Sequence, residues 1–188
     1  MKRPGLLLIW VCLVLLAGAL GWWQWREWRE RSQDGPIRTA AQRYGLEPAL
    51  VKAVVWRESR FNPKARGRAG ELGLMQLRED AAREWADAEG LAGFEHEHCL
   101  DPITNTLAGT FYLRKLLARF SHTDNPQPYA LAAYNAGPGN VAKWNGGSAA
   151  TNSTAFIAQI GFPATRNYVR SVLKRYTRYR PVFLPEPK

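Results

Sequence analysis

The 188-residue chain is basic, with 26 Lys and Arg against 16 Asp and Glu, a formal net charge of +10, and two cysteines. That length holds one domain of ordinary size plus an appendage, enough to bury a real core. Cys12 falls inside an apolar run and Cys99 stands alone in the remainder, so a disulfide framework is excluded and stability must come from packing.

Leu6 to Trp23 is an unbroken run of 18 apolar or glycine residues, preceded by Lys2 and Arg3. At about 1.5 Å per residue this is close to the minimum that crosses a bilayer core. Two readings fit it. Ala17-Gly18-Ala19 offers a signal-peptide cleavage site, whereas Trp22, Trp23, Trp25 and Trp28 running into Arg26, Glu27, Arg29, Glu30 and Arg31 fit an uncleaved anchor with an aromatic belt. Cys12 lacks the small-residue context of a lipoprotein site. We therefore expect a membrane anchor or signal segment over 1–25, a charged juxtamembrane linker over 26–36 ending at Gly35-Pro36, a folded domain over 37–180 and a Pro-rich tail over 181–188.

Pro36 and Pro48 each suit the first turn of a helix, with Gly45 between them. From Pro48 to Ser59 apolar residues recur at Leu50, Val51, Val54 and Val55, and Glu58 falls next on that stripe. Lys52, Arg57 and Arg60 lie off the stripe and supply an ordinary solvated face. A carboxylate on the apolar side is costly, and desolvation there raises its pKa, as a general acid near neutral pH requires. A helix-end cap or a pairing with a nearby arginine is the competing reading of Glu58.

The Gly-rich stretch from Asn62 to Gly73 reads as a loop. Glu95-His96-Glu97-His98-Cys99 has no second half-site and reads as a solvent-exposed loop rather than a metal centre. Asp101-Pro102 predicts an N-capped helix with Leu107, Phe111, Leu117 and Phe120 facing inward. Another helix is predicted from near Pro128 to Gly137-Pro138-Gly139, then a loop over Trp144 to Thr154. The last helix, Thr165 to Tyr179, has Tyr168, Val169, Val172, Leu173 and Tyr176 on one stripe and Arg166, Arg170, Lys174, Arg175, Arg178 and Arg180 on or after a solvated face. Strand signals are few, and a compact, mainly helical domain follows. The chain has no P-loop, dinucleotide fingerprint or Gly-x-Ser-x-Gly turn.

Three blocks narrow the function: Glu58-Ser59-Arg60-Phe61-Asn62-Pro63, Ala69-Gly70-Glu71-Leu72-Gly73-Leu74-Met75-Gln76, and Ala133-Tyr134-Asn135-Ala136-Gly137-Pro138-Gly139-Asn140-Val141 with Trp144. A fourth, Phe162-Pro163-Ala164-Thr165-Arg166-Asn167-Tyr168-Val169, follows at the last helix. Together they resemble the lytic transglycosylases of the soluble-lytic-transglycosylase type, over about Ile37 to Tyr179. The resemblance implies a mainly α, goose-type lysozyme-like domain behind an N-terminal transmembrane helix. It implies that Glu58 is the catalytic acid, then base, and that Met75, Gln76, Tyr134, Asn135 and Tyr168 bind substrate, with no metal or cofactor. Structural burial of Tyr134 remains an open alternative.

The implied reaction cleaves peptidoglycan glycan strands without water, leaving a 1,6-anhydromuramoyl end. It needs one carboxylate, where ordinary glycosidases use two; Glu71, in a loop after Gly70, is a weak second candidate. Two positions depart from the family pattern. Gly67 stands where many members carry a serine associated with the substrate's acetamido group, and Ala164 where many carry a glutamate. The resemblance also favours the anchor, in the bacterial inner membrane with a single pass and the domain in the periplasm or cell-wall space. An exported domain excludes nucleic acid as a partner, and no pattern identifies a protein partner. A muramidase-like hydrolase and a catalytically weak wall-binding module are the other whole-protein readings; the intact Glu58 argues against the latter.

Overall fold

The computed structural model describes residues 4–183, in two units that divide between Gln33 and Asp34. The first is a single helix, α1 (Pro4–Arg31). Leu8, Val14, Leu20, Trp22 and Trp28 are all exposed along it, and its most apolar 18-residue window has a mean hydropathy of 1.7. By length and composition this helix can cross a membrane. At its C-terminal end Arg26 lies 5.6 Å from the Trp22 ring and Arg29 5.2 Å from Trp25, so cations and aromatics are interleaved where an interface would fall. The charged stretch over 26–36 is helical almost throughout. Gly35-Pro36 do not break the chain, because they fall in the first turn of the next helix, where proline's missing N–H is not needed.

In the second unit helices α2 (Asp34–Tyr44), α3 (Pro48–Ser59), α4 (Glu79–Ala88), α5 (Pro102–Arg119), α6 (Pro126–Ala136), α7 (Pro138–Trp144), α8 (Ser153–Gln159) and α9 (Pro163–Phe183) surround one core. Among the described residues extended pairing is confined to the isolated antiparallel bridges Arg66–Leu72 and Leu72–Leu77. Helix α3 lies centrally, packed on α9 along its length and also on α2. Leu50, Val51, Val54 and Val55 are buried as their spacing predicts. Lys52 corrects the expected solvated face: it is 2% exposed, its Nζ lies 2.6 Å from Asp34 Oδ1, and the rings of Phe61, Tyr179 and Phe183 surround it at 5.1 to 5.8 Å. Every residue of α3 from 49 to 55 is buried, so its one lysine is paired inside.

Three further segments differ from expectation. Helix α6 starts at Pro126, two residues early, because Asn125 caps it by accepting from the Gln127 N–H at 3.1 Å. Residues 147–159, predicted as loop at their start, form a 3₁₀ turn (Gly147–Ala150) and α8, whose Asn152 cap accepts from the Ala155 N–H at 2.9 Å. Phe156 anchors α8 by stacking on Tyr129 with centroids 4.1 Å apart. The Glu95–Cys99 segment is likewise structured, as a 3₁₀ helix (His96–Leu100) that buries Cys99 and pairs Glu97 with Arg66 at 2.7 and 2.9 Å.

Helix α5 has the predicted Asp101 cap, accepting from the Thr104 N–H at 2.8 Å. Helix α9 keeps Arg170, Lys174 and Arg178 exposed, but Arg166 donates to the Ile160 carbonyl at 2.6 Å and Arg175 lies 4.0 Å from the Trp56 ring. Of the expected tail, 181–183 continue α9 and 184–188 lie outside the described residues.

Candidate active site

Glu58 sits in the last turn of α3, and its carboxyl is met from across the unit by α9: the Tyr168 hydroxyl donates to Oε1 at 2.5 Å. Burial pushes the Glu58 carboxyl up to about 7, against lowering by the Tyr168 hydrogen bond and the Arg57 charge and with a small further raising by Glu71. Both protonation states are therefore populated near neutrality. With Oε1 held by Tyr168, the acidic proton belongs on Oε2. The next residue ties the acid to its surroundings, since Ser59 Oγ lies 2.8 Å from the Leu74 carbonyl oxygen.

The backbone around the acid is strained. Arg60, Phe61 and Gln76 are the non-glycine residues with positive φ, at 53°, 63° and 47°, among those described. All three lie in the block that carries Glu58 or in the Gly73–Gln76 segment tied to it by Ser59. Sparsely populated backbone of this kind costs roughly 1–3 kcal/mol per residue and gathers at functional sites.

An open groove of about 370 Å³ runs past Glu58, walled by Glu71, Gln76, Tyr112, Tyr134 and Asn135. The structure therefore brings Glu58, Gln76, Tyr134 and Asn135 to one groove. Gln76 Nε2 donates to the Gly73 and Ala65 carbonyls at 2.9 and 3.2 Å, which fixes its amide. Asn135 is exposed, and its Oδ1 accepts from the Thr165 hydroxyl at 2.8 Å, so its NH₂ is turned away from that partner. Tyr134 is partly buried: its ring borders the groove and tilts against Tyr112 at 5.6 Å, while its hydroxyl donates to the Met75 carbonyl at 2.8 Å. That hydroxyl is thus already engaged as a donor.

Met75 and Tyr168 are placed otherwise than a cleft wall requires. Met75 is fully buried, with its side chain on Gly109 of α5, where any Cβ would come within 2.4 Å of Sδ, and it does not line the groove. Tyr168 is 1% exposed and reaches the groove only through Glu58. Ala164 is exposed at the start of α9.

Sequence reasoning missed Asn105. It lies on α5, fully buried, and its amide makes three hydrogen bonds: Oδ1 accepts from the Met75 N–H at 2.7 Å, and Nδ2 donates to the Leu72 and Cys99 carbonyls, both at 2.8 Å. Gly73, at φ +75°, leaves room for it, since a Cβ there would stand 2.2 Å from Nδ2. One amide thus ties the Leu72–Met75 segment to α5 and to the 3₁₀ turn. A lone asparagine in a helical stretch carries no signal of this. Glu71, discounted as a loop glutamate, is partly buried and lies in the groove.

Over 137 residues the chain is 38% identical to the soluble lytic murein transglycosylase of Escherichia coli K12, covering 72% of this chain and 21% of that protein. It is 36% identical over 113 residues to membrane-bound lytic murein transglycosylase C of Klebsiella pneumoniae, covering 57% of this chain and 31% of that one. The chain thus spans about a fifth to a third of the length of these relatives. Among solved structures, an inactive mutant of lytic transglycosylase Slt from Pseudomonas aeruginosa matches with a TM-score of 0.72 at 29% identity, over 81% of this chain and 25% of that one. The 70-kDa soluble lytic transglycosylase in complex with bulgecin A matches with a TM-score of 0.72 at 30% identity, over 91% and 28% of the two chains. The sequence model of the Transglycosylase SLT domain matches residues 35–157, well over half of the chain and all three blocks that carry the groove, and the chain belongs to that family.

Proposed function

We propose that this chain is a membrane-anchored peptidoglycan lytic transglycosylase with Glu58 as its one acid and base. The observation that carries the reading is the Glu58 carboxyl, raised to about 7, lining an open groove and held by Tyr168. Glu58 Oε2 gives its proton to the oxygen joining N-acetylmuramic acid to N-acetylglucosamine as that bond to the anomeric carbon breaks, with the muramoyl acetamido oxygen assisting at the carbon. The 6-hydroxyl of the same muramoyl unit then attacks the carbon and returns its proton to Glu58. The products are a free 4-hydroxyl and a 1,6-anhydromuramoyl end, with no water consumed. An internal hydroxyl at high effective concentration lets one carboxyl serve both steps.

The exposed apolar α1 and the relatedness to membrane-bound transglycosylases support anchoring, with the catalytic unit on the periplasmic side. Glu71 in the groove favours one other reading, hydrolysis, in which it would activate a water. Mass spectrometry of muropeptides released by the full chain in detergent separates the two. We expect 1,6-anhydromuramic ends; reducing muramic ends would establish hydrolysis instead.

Tyr168→Phe tests the positioning role. The loss of one hydrogen bond to the acid should lower kcat about tenfold, with little change in KM. Because that bond lowers the Glu58 pKa, its removal lets the pKa rise. The basic limb of the kcat/KM profile, set by loss of the Glu58 proton, should then move to higher pH. An unmoved limb would show that the hydroxyl does not act on the acid.

A further inference from the structure

Gly67 is glycine for space rather than for conformation. A Cβ built on it would stand 2.1 Å from Glu71 Oε2 and 3.0 Å from Gln76 Oε1, so the Glu71 carboxylate occupies the volume that a side chain at 67 would fill. The surrounding loop holds it there. The Gly67 N–H donates to the Glu71 carbonyl at 2.7 Å, the Arg66–Leu72 bridge closes the turn, and the Ala69 N–H donates to Glu71 Oε2 at 3.0 Å. Gln76 Nε2 donates to two backbone carbonyls, which leaves Oε1 on the side of Gly67. Two acceptors, one of them charged, thus converge beside Gly67, on two residues that both line the groove. An ionised carboxylate accepts and does not donate, so the ligand group that fits there is a donor.

We infer that Glu71, seated over Gly67, orients the saccharide in the groove by accepting a hydrogen bond from the 2-acetamido N–H of an N-acetylated sugar, beside Gln76. The inference rests on the groove being a glycan site. The Gly67–Glu71 pair then replaces a side chain at 67 with a longer one reaching the same place from across the turn. Glu71 is a specificity-determining residue, and Glu58 keeps both proton transfers. A sugar hydroxyl is the other source of a donor, and saccharides that differ at that one position separate the two.

The test measures binding of N-acetylchitotetraose and of cellotetraose to the full chain in detergent, in a Glu58→Gln background so that no turnover intervenes. Adding Glu71→Ala should weaken binding of the acetylated tetramer about tenfold or more, as expected for a hydrogen bond to a charged group, and leave cellotetraose unchanged. Glu71→Gln, which keeps an acceptor but not the charge, should fall between. Gly67→Ser alone should weaken binding by displacing the carboxylate, and Gly67→Ser with Glu71→Ala should recover most of the loss. That recovery also shows that the fold tolerates both changes. Full-strength binding by Glu71→Ala, or an equal loss for the two saccharides, would overturn the inference while leaving the glycan site standing. If the Glu58→Gln parent bound neither saccharide, the glycan-site reading itself would fall.

Discussion

Glu58→Gln is expected to lower turnover at least about a thousandfold, at the upper part of the range for removal of a general acid and base, with the groove and its ligand affinity retained. The amide keeps the shape of the side chain and its oxygen can still accept from Tyr168, but it has no proton to deliver and cannot take one back. The same substitution should stabilise the protein in a defined pH window. Glu58 rises from an ordinary carboxyl value of 4.5 to about 7 on folding, so between those values the folded chain holds a proton that the unfolded chain has released. The stability of the parent therefore falls as pH rises through that interval, and the whole penalty is present above pH 7. At about 1.36 kcal/mol per unit this reaches roughly 3 kcal/mol as an upper bound, and the glutamine does not incur it. Thermal unfolding should show the variant more stable than the parent at pH 8 and the difference disappearing toward pH 4. Retained turnover would remove Glu58 from its role; a pH-independent stability difference would show that the carboxyl is not raised by burial.

The penalty is legible in the sequence because Glu58 sits on a stripe whose other members are valine and leucine. The stripe argument works for one face at a time, which is why it places Glu58 and misplaces Lys52. An α3 enclosed by both α2 and α9 buries residues on two sides, and no periodicity in α3 alone reveals the second cover. The motif blocks likewise show which residues gather but not which atoms face the groove. Met75 and Gln76 are adjacent in one block, yet one is core and the other wall, a division set by Gly109 on a helix distant in sequence. Helix α8, seven residues long, is too short for periodicity to register and owes its place to Phe156 on Tyr129. A glutamate in a Gly-rich loop carries no signal of burial; the missing Cβ at Gly67 is what gives the Glu71 carboxylate its place.

Asn105→Ala should be strongly destabilising for the unit built of helices α2 to α9. It would leave the Met75 N–H and the Leu72 and Cys99 carbonyls without the amide that satisfies them, all in a region closed to solvent. At about 1–3 kcal/mol for each stranded buried group, less whatever the segment recovers by shifting, the loss should be on the order of 3–5 kcal/mol in denaturant unfolding. Leu72–Met75 is also the segment that meets the acid: Leu74 accepts from Ser59, and Met75 accepts from Tyr134. The variant should therefore lose turnover even at temperatures where it stays folded, with kcat falling more than KM rises, because the misplaced element is the wall beside the proton and not the whole groove. Asn105→Asp separates the two effects. Its carboxylate can still accept from Met75 but must face two carbonyl oxygens, so it should destabilise at least as much as alanine at pH 8 and recover on acidification, when protonation restores a single donor. An alanine variant as stable and as active as the parent would mean that the Gly73–Gln76 segment is held by its own backbone turn, with Asn105 merely filling the space beside it.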